Sequence, residues 1–441
     1  MKMKKDLIFI FLISLFFFAC NGSEEIEKTL GIGDYYDSSK PVSVVELLPS
    51  WGQIDQDFII RGNFPKDTAQ IKVYFGTKKA VILGCDGYEV YGMIPKQSPG
   101  YNRLSVVVGK DSIVPNIQFK YYQTQSLKTI VGKFGNSEYL EGSLDEARIN
   151  NPTGLGTVKG QKGDNIILVE GEWTARISLV SLDDNKMIKI AEVGYVGGPA
   201  VTSTRDKFYV INRSGNRNIY SFSRDDGWIT TPVADLTITD DMLSSGSVVG
   251  GLTFAEDDRF LYVMTGDGYL GCIDLLDKKF TKVLGKNDWD GVNVGTGWSS
   301  YLMYSKYYKC FFATFQDANG IFKITQDTGG KWKAEKFAGF NSGNSVILGH
   351  RLNDAVLRNP AGLAVNQDGE IYFASRSGHV ILKIKGDIVS LVAGTLDSYG
   401  AVTGAPLESK FDQPRPIVTD FEDNFYIGDG SNRVIRKLTI E

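Results

Sequence analysis

Arg351-Leu352-Asn353-Asp354-Ala355-Val356-Leu357-Arg358-Asn359-Pro360-Ala361-Gly362-Leu363-Ala364-Val365 is closely followed by Asp368-Gly369-Glu370-Ile371-Tyr372-Phe373-Ala374. The first stretch ends in small and apolar residues behind a proline. Asp-Gly then gives the chain a turn, because glycine reaches positive φ and aspartate bonds its own backbone. The β-branched and aromatic run after it reads as a strand. The same order occurs at Glu141–Leu155, followed by Gly163-Asp164-Asn165-Ile166-Ile167-Leu168-Val169. It occurs again from Ala405 to Pro414, followed by Asp423-Asn424-Phe425-Tyr426-Ile427 and by Asn432-Arg433-Val434-Ile435-Arg436-Lys437-Leu438. A unit repeated in this way buries its apolar faces by stacking on its neighbours.

Between these three units the pattern is weaker, but strand runs persist. Inner strands are expected near Pro199-Ala200-Val201, Gly251-Leu252-Thr253 and Ser300-Tyr301-Leu302, with second strands at Phe208–Val210, Phe260–Val263 and Cys310–Phe312. Together they make six units. Fourth strands are expected at Ile188–Ala191, Thr230–Ala234, Phe280–Leu284, Trp332–Phe337 and Val389–Val392, which is one short. The missing strand is expected from Leu127-Lys128-Thr129-Ile130-Val131, ahead of the first unit, so that the two ends of the chain pair and leave no free sheet edge. The Pro-x-Gly, Asp-Gly-x-Ile-Tyr and Asn-x-x-Ile-Arg-Lys elements resemble the NHL repeat. That resemblance implies a six-bladed β-propeller over residues 123–441, with a seven-bladed ring as the alternative.

Residues 41–122 read differently. Pro49-Ser50-Trp51-Gly52 is followed by Phe58-Ile59-Ile60-Arg61-Gly62-Asn63-Phe64, then by Ile71-Lys72-Val73-Tyr74-Phe75-Gly76 and the alternating Leu104-Ser105-Val106-Val107-Val108. This order resembles the IPT/TIG family of immunoglobulin-like sandwiches, which act as spacers or interaction modules. The fold class expected for the whole chain is therefore all-β, a sandwich followed by a propeller.

The first residues carry an address rather than a fold. Met1–Lys5 is basic and Leu7–Ala19 is an apolar run, the pattern of an export signal. Phe17-Phe18-Ala19-Cys20 resembles a bacterial lipobox, which implies cleavage after residue 19 and lipidation of Cys20. Asn21-Gly22-Ser23-Glu24-Glu25 resembles the acidic tag of Bacteroidetes-type surface lipoproteins, and residues 20–40 read as a tether. Export to the outer membrane, facing the cell exterior, is the expected location. Cys85, Cys272 and Cys310 lie far apart in sequence and have no metal-type spacing. A net charge of −4 with no basic block argues against nucleic-acid binding.

Little in the sequence suggests catalysis. His350 and His379 are the only histidines, too few for a His₃ site, and no metal or cofactor is expected. There is no Gly-x-Ser-x-Gly elbow. Paired aspartates such as Asp183-Asp184 and Asp257-Asp258 fit turns. The aromatic content, 12% of residues, is more suggestive. One propeller face is formed by the loops leading into the inner strands and those joining second to third strands. On it we place Trp173, Tyr195, Trp289, Trp298 and Tyr399, with Arg213, Arg376 and Asp429, as a candidate ligand site. Rings stack on sugar faces while polar neighbours bond the hydroxyls. Surface lipoproteins resembling this arrangement serve polysaccharide utilisation, so the resemblance implies non-catalytic capture of a poly- or oligosaccharide beside an outer-membrane transporter. A protein-interaction scaffold and a propeller glycan hydrolase or lyase are the alternatives.

Overall fold

The computed structural model describes residues 36–441 except 172–173, 214, 216, 237–247 and 296–299. Among the described residues the regular structure is β-strand, with two short 3-10 turns. The chain divides into two compact units, one ending at Thr124 and also holding Glu441, the other running from Gln125 to Ile440. Export signal, Cys20 and most of the tether lie outside the described residues.

In the first unit strands alternate buried and exposed positions, as Asp57–Gly62 and Ile71–Phe75 do. They form two sheets. One holds Val44–Leu48, Asp57–Gly62, Glu89–Met93 and Val81–Cys85; the other is built on Gly100–Val108, flanked by Ile71–Phe75 and Gln118–Tyr121. The inward faces share one core, where Phe75 meets Phe58 at 5.1 Å and Phe119 at 4.9 Å, all edge-on. Such pairs gain from the ring quadrupole as well as from burial.

The second unit holds six antiparallel sheets of four or five strands. Their first strands are Pro152–Lys159, Ala200–Val201, Val249–Phe254, Ser300–Ser305, Pro360–Val365 and Pro414–Thr419. Each lies against the next, and the last lies against the first, so the arrangement is propeller-like. The sheets follow one another in sequence except the sixth, whose outer strand is Gln125–Gly132. That strand pairs antiparallel with Val434–Ile440, from Gln125 opposite Ile440 to Gly132 opposite Val434.

Where first and second strands join, every adjacent pair of sheets is tied by a polar contact. Asp164 of the first sheet pairs with Arg205 of the second. Ser203 of the second donates from its backbone to Asp258 of the third at 2.7 Å. The Tyr304 hydroxyl of the fourth donates to Glu256 of the third at 3.1 Å. Tyr308 of the fourth donates to the Gly369 carbonyl of the fifth at 2.6 Å. The backbone of Gln367 in the fifth donates to Asp423 of the sixth at 3.1 Å. The Phe421 backbone returns from the sixth to Asp164 at 3.1 Å.

Asp164 therefore serves two junctions at once. It is 5% exposed, and burial raises its carboxyl above the usual range, against the pull of Arg205. Hydrogen bonds to charged groups contribute about 1.5–3 kcal/mol each. Asp164→Ala should lower unfolding stability by about 2–4 kcal/mol. Glu335→Ala, which removes an exposed pair with Lys333, should cost no more than about 0.5 kcal/mol. Urea denaturation of both variants measures the difference, and equal losses would deny Asp164 its double role.

Candidate ligand site on the ring axis

The six first strands enclose a cavity of about 860 Å³. Leu155, Leu252, Leu302, Leu363 and Ile417, one from each of five sheets, contribute apolar wall. The wide end is polar and lies where first strands turn into second strands, lined by Ser203, Arg205, Asp258, Lys306, Gln367 and Asp423. Two exposed aromatics stand there. Tyr307 packs edge-on with Tyr308 at 4.9 Å, and Phe421 lies 5.4 Å from the Arg205 guanidinium. The carboxylates on this rim are engaged. Asp258 accepts from both backbone and hydroxyl of Ser203, and Asp420 holds Asn424 and the Tyr426 hydroxyl.

At the other end the first strands crowd together. A Cβ on Gly154 would fall 2.5 Å from the Cα of Gly198, and one on Gly362 would fall 2.7 Å from the Arg415 carbonyl. Only glycine permits that approach. Tyr301 lines this end of the cavity, and Arg213, Arg376 and Arg415 all act electrostatically on its hydroxyl. Burial pushes the Tyr301 phenol up and the Arg213 and Arg376 guanidiniums down. Arg213 donates from Nε to the Val249 carbonyl at 2.7 Å and lies 4.7 Å from the Tyr195 ring. Arg376 donates to Gln413 at 2.9 and 3.1 Å. It lines a second cavity of about 330 Å³ with Arg358, Asn359 and His379.

The expected site residues divide accordingly. Tyr195 packs against Arg213, and Arg376 lines the second cavity. Tyr399 is 70% exposed, and its ring lies 5.7 Å from that of His379. Trp173 and Trp298 lie outside the described residues. Two expectations are corrected. Trp289 is a core residue: it is 0% exposed, donates its indole N–H to the Gly268 carbonyl at 2.7 Å and packs edge-on against Phe315 and Phe322. Asp429 is also 0% exposed and is occupied by Arg436 at 2.9 Å, Asn432 and the Asp412 backbone. Burial brings its carboxyl up to about 6 although Arg436 opposes the rise. The polar mouth of the axial cavity opens among loops outside the expected set, while Arg376 of that set lines the second cavity.

Sequence reasoning missed Tyr301, Tyr307, Phe421 and Arg415. Arg415 did leave a signal. Pro414-Arg415-Pro416 places a cation where Pro152-Thr153-Gly154 and Pro360-Ala361-Gly362 carry small residues. The histidines hold backbone: His350 Nδ1 accepts from Leu352 and Asn353, and His379 Nδ1 from Gln413. Among the described residues no three His, Cys, Asp or Glu side chains come together in a way that could hold a metal ion.

No family model matches this chain, and no curated protein matches it in sequence. Solved structures do match. A Bacteroides thetaiotaomicron VPI-5482 protein of unknown function is 26% identical, with a TM-score of 0.82 over 92% of this chain and 100% of that one. An auxiliary nutrient binding protein of the same organism is 20% identical, with a TM-score of 0.59 over 92% and 99%. One from Bacteroides ovatus ATCC 8483 is 18% identical, with a TM-score of 0.60 over 92% and 100%. The chain thus shares its all-β architecture with a set of Bacteroides proteins.

Trp289→Ala should cost about 3–5 kcal/mol of stability, as large-to-small core substitutions do. Chemical denaturation measures this. A loss below about 1 kcal/mol would contradict the core assignment.

Proposed function

We propose that this chain is a lipid-anchored protein of the outer membrane, facing outward, that captures a glycan nutrient without transforming it. In this reading the six sheets are the blades of an NHL-like propeller. Residues 41–122 are an IPT/TIG-like spacer, Cys20 carries the lipid, and an outer-membrane transporter receives the ligand. The observation that carries the reading is the axial cavity. Its volume of about 860 Å³ falls in the range of ligand sites, about 300–1,000 Å³. Its apolar wall and polar rim suit a sugar, which offers apolar ring faces and a fringe of hydroxyls. Tyr307 and Phe421 supply exposed rings at the mouth. The rim aspartates hold loops together, which favours binding over acid–base chemistry. Two proteins sharing the fold are auxiliary nutrient binding proteins, in line with this role.

The test is affinity electrophoresis of the protein produced without residues 1–20, run through a panel of polysaccharides. At least one glycan should retard it. Tyr307→Ala and Phe421→Ala should each weaken that binding about tenfold, which is about 1.4 kcal/mol. Retardation by no glycan would refute the capture role.

A further inference from the structure

Three cations act on Tyr301, which lines the axial cavity. Arg213 follows the second strand of the second sheet, Arg376 occupies the equivalent loop of the fifth, and Arg415 lies in the first strand of the sixth. All three guanidiniums pull on the hydroxyl of Tyr301, in the first strand of the fourth sheet. The backbone explains how. The Arg213 side chain passes the Cα of Gly197 and reaches the Val249 carbonyl. Gly250 lies against the Ser300 backbone, next to Tyr301. Gly362 lies against the Arg415 carbonyl, and Arg376 grips Gln413, two residues before Arg415.

This is a costly arrangement. Like charges gathered in a partly buried space repel, and each loses hydration. Elsewhere the fully buried Arg436 meets Asp429, and the buried Glu170 meets Arg176. Here the charged groups acting on Arg376 and on Tyr301 are guanidiniums, with no carboxylate among them in the described residues. Among the described residues Arg415 Nε is buried and makes no hydrogen bond, and neither does the Ser300 hydroxyl beside Tyr301. Guanidiniums prefer planar oxyanions, which they hold with paired N–H donors. Tyr301 adds a hydroxyl and a ring face at the same place.

We propose that Arg213, Arg376 and Arg415, with Tyr301, form a receptor for the oxyanion of an acidic sugar, the carboxylate of a uronic acid or a sulfate ester. The assignment rests on the glycan-capture reading and narrows it: the bound polysaccharide is anionic. Its charged group sits at the narrow end while the rest of the chain fills the wide cavity and passes Tyr307 and Phe421 at the mouth.

The test compares wild type with Arg376→Gln and Arg415→Gln. Each is run against polygalacturonate, a sulfated glycosaminoglycan and neutral dextran and xylan by affinity electrophoresis, and against inorganic sulfate by calorimetry. Each variant should melt at or above the wild-type temperature without ligand, because removing one of three like charges relieves repulsion. Each should lose at least tenfold in affinity for the acidic glycan that wild type retains, and wild-type binding should weaken with added salt. Which polymer is retained separates the carboxylate from the sulfate ester. Retention of a neutral glycan with equal affinity in all three proteins would overturn the anion receptor and leave the capture role standing. Sulfate binding with no glycan retained would overturn both.

Discussion

The ring depends on its closure at Asp164. Six sheets set side by side leave two exposed flanks unless the sixth meets the first. One buried carboxylate joins them, accepting from the Phe421 backbone while pairing with Arg205 of the second sheet. The Thr157 hydroxyl adds a bond to the Thr419 carbonyl at 3.0 Å, first strand to first strand across the same seam. The pairing of Gln125–Gly132 with Val434–Ile440 then completes the sixth sheet from the opposite end of the unit. Closure of the ring covers both flanks that an open row of sheets would expose. A closed ring also fixes the distance between opposite first strands, and so holds an axial cavity open.

Function follows from what the two ends of that cavity permit. Glycines let the first strands approach at one end, where Tyr301 lines the cavity and three guanidiniums act on it. At the other end the turns carry larger, polar residues. The result is graded: charge at depth, apolar wall between, exposed rings and hydroxyl-bonding groups at the mouth. In the proposed capture role such a gradient would orient an elongated ligand, because each part of it would find one favourable position.

Much of the architecture could be read from local sequence because turn chemistry is local. Asp368-Gly369 and Asp423-Asn424 announce strands at Ile371–Ser375 and Phe425–Asp429, and Leu127–Val131 reads as a strand wherever it pairs. The site was less legible. Trp289 sits among Asn287, Asp288 and Asp290, which look like an exposed loop. Its burial comes from Gly268, Phe315 and Phe322, none of them near in sequence. Asp429 looked available for the same reason, since Arg436 is a neighbour only through strand pairing. A first strand runs from one face of the ring to the other, so its sequence does not say which end is wide. That is decided by contacts between strands of different sheets, such as Gly154 against Gly198.

The most direct measurement is hydrogen–deuterium exchange on the protein with and without a saturating glycan identified as its ligand. If the axial cavity is the binding site, added protection should fall on the first strands Ser300–Ser305 and Pro414–Thr419 and on the turns holding Tyr307 and Phe421. Protection confined to residues 36–124, or to the loop around Tyr399, would contradict the account.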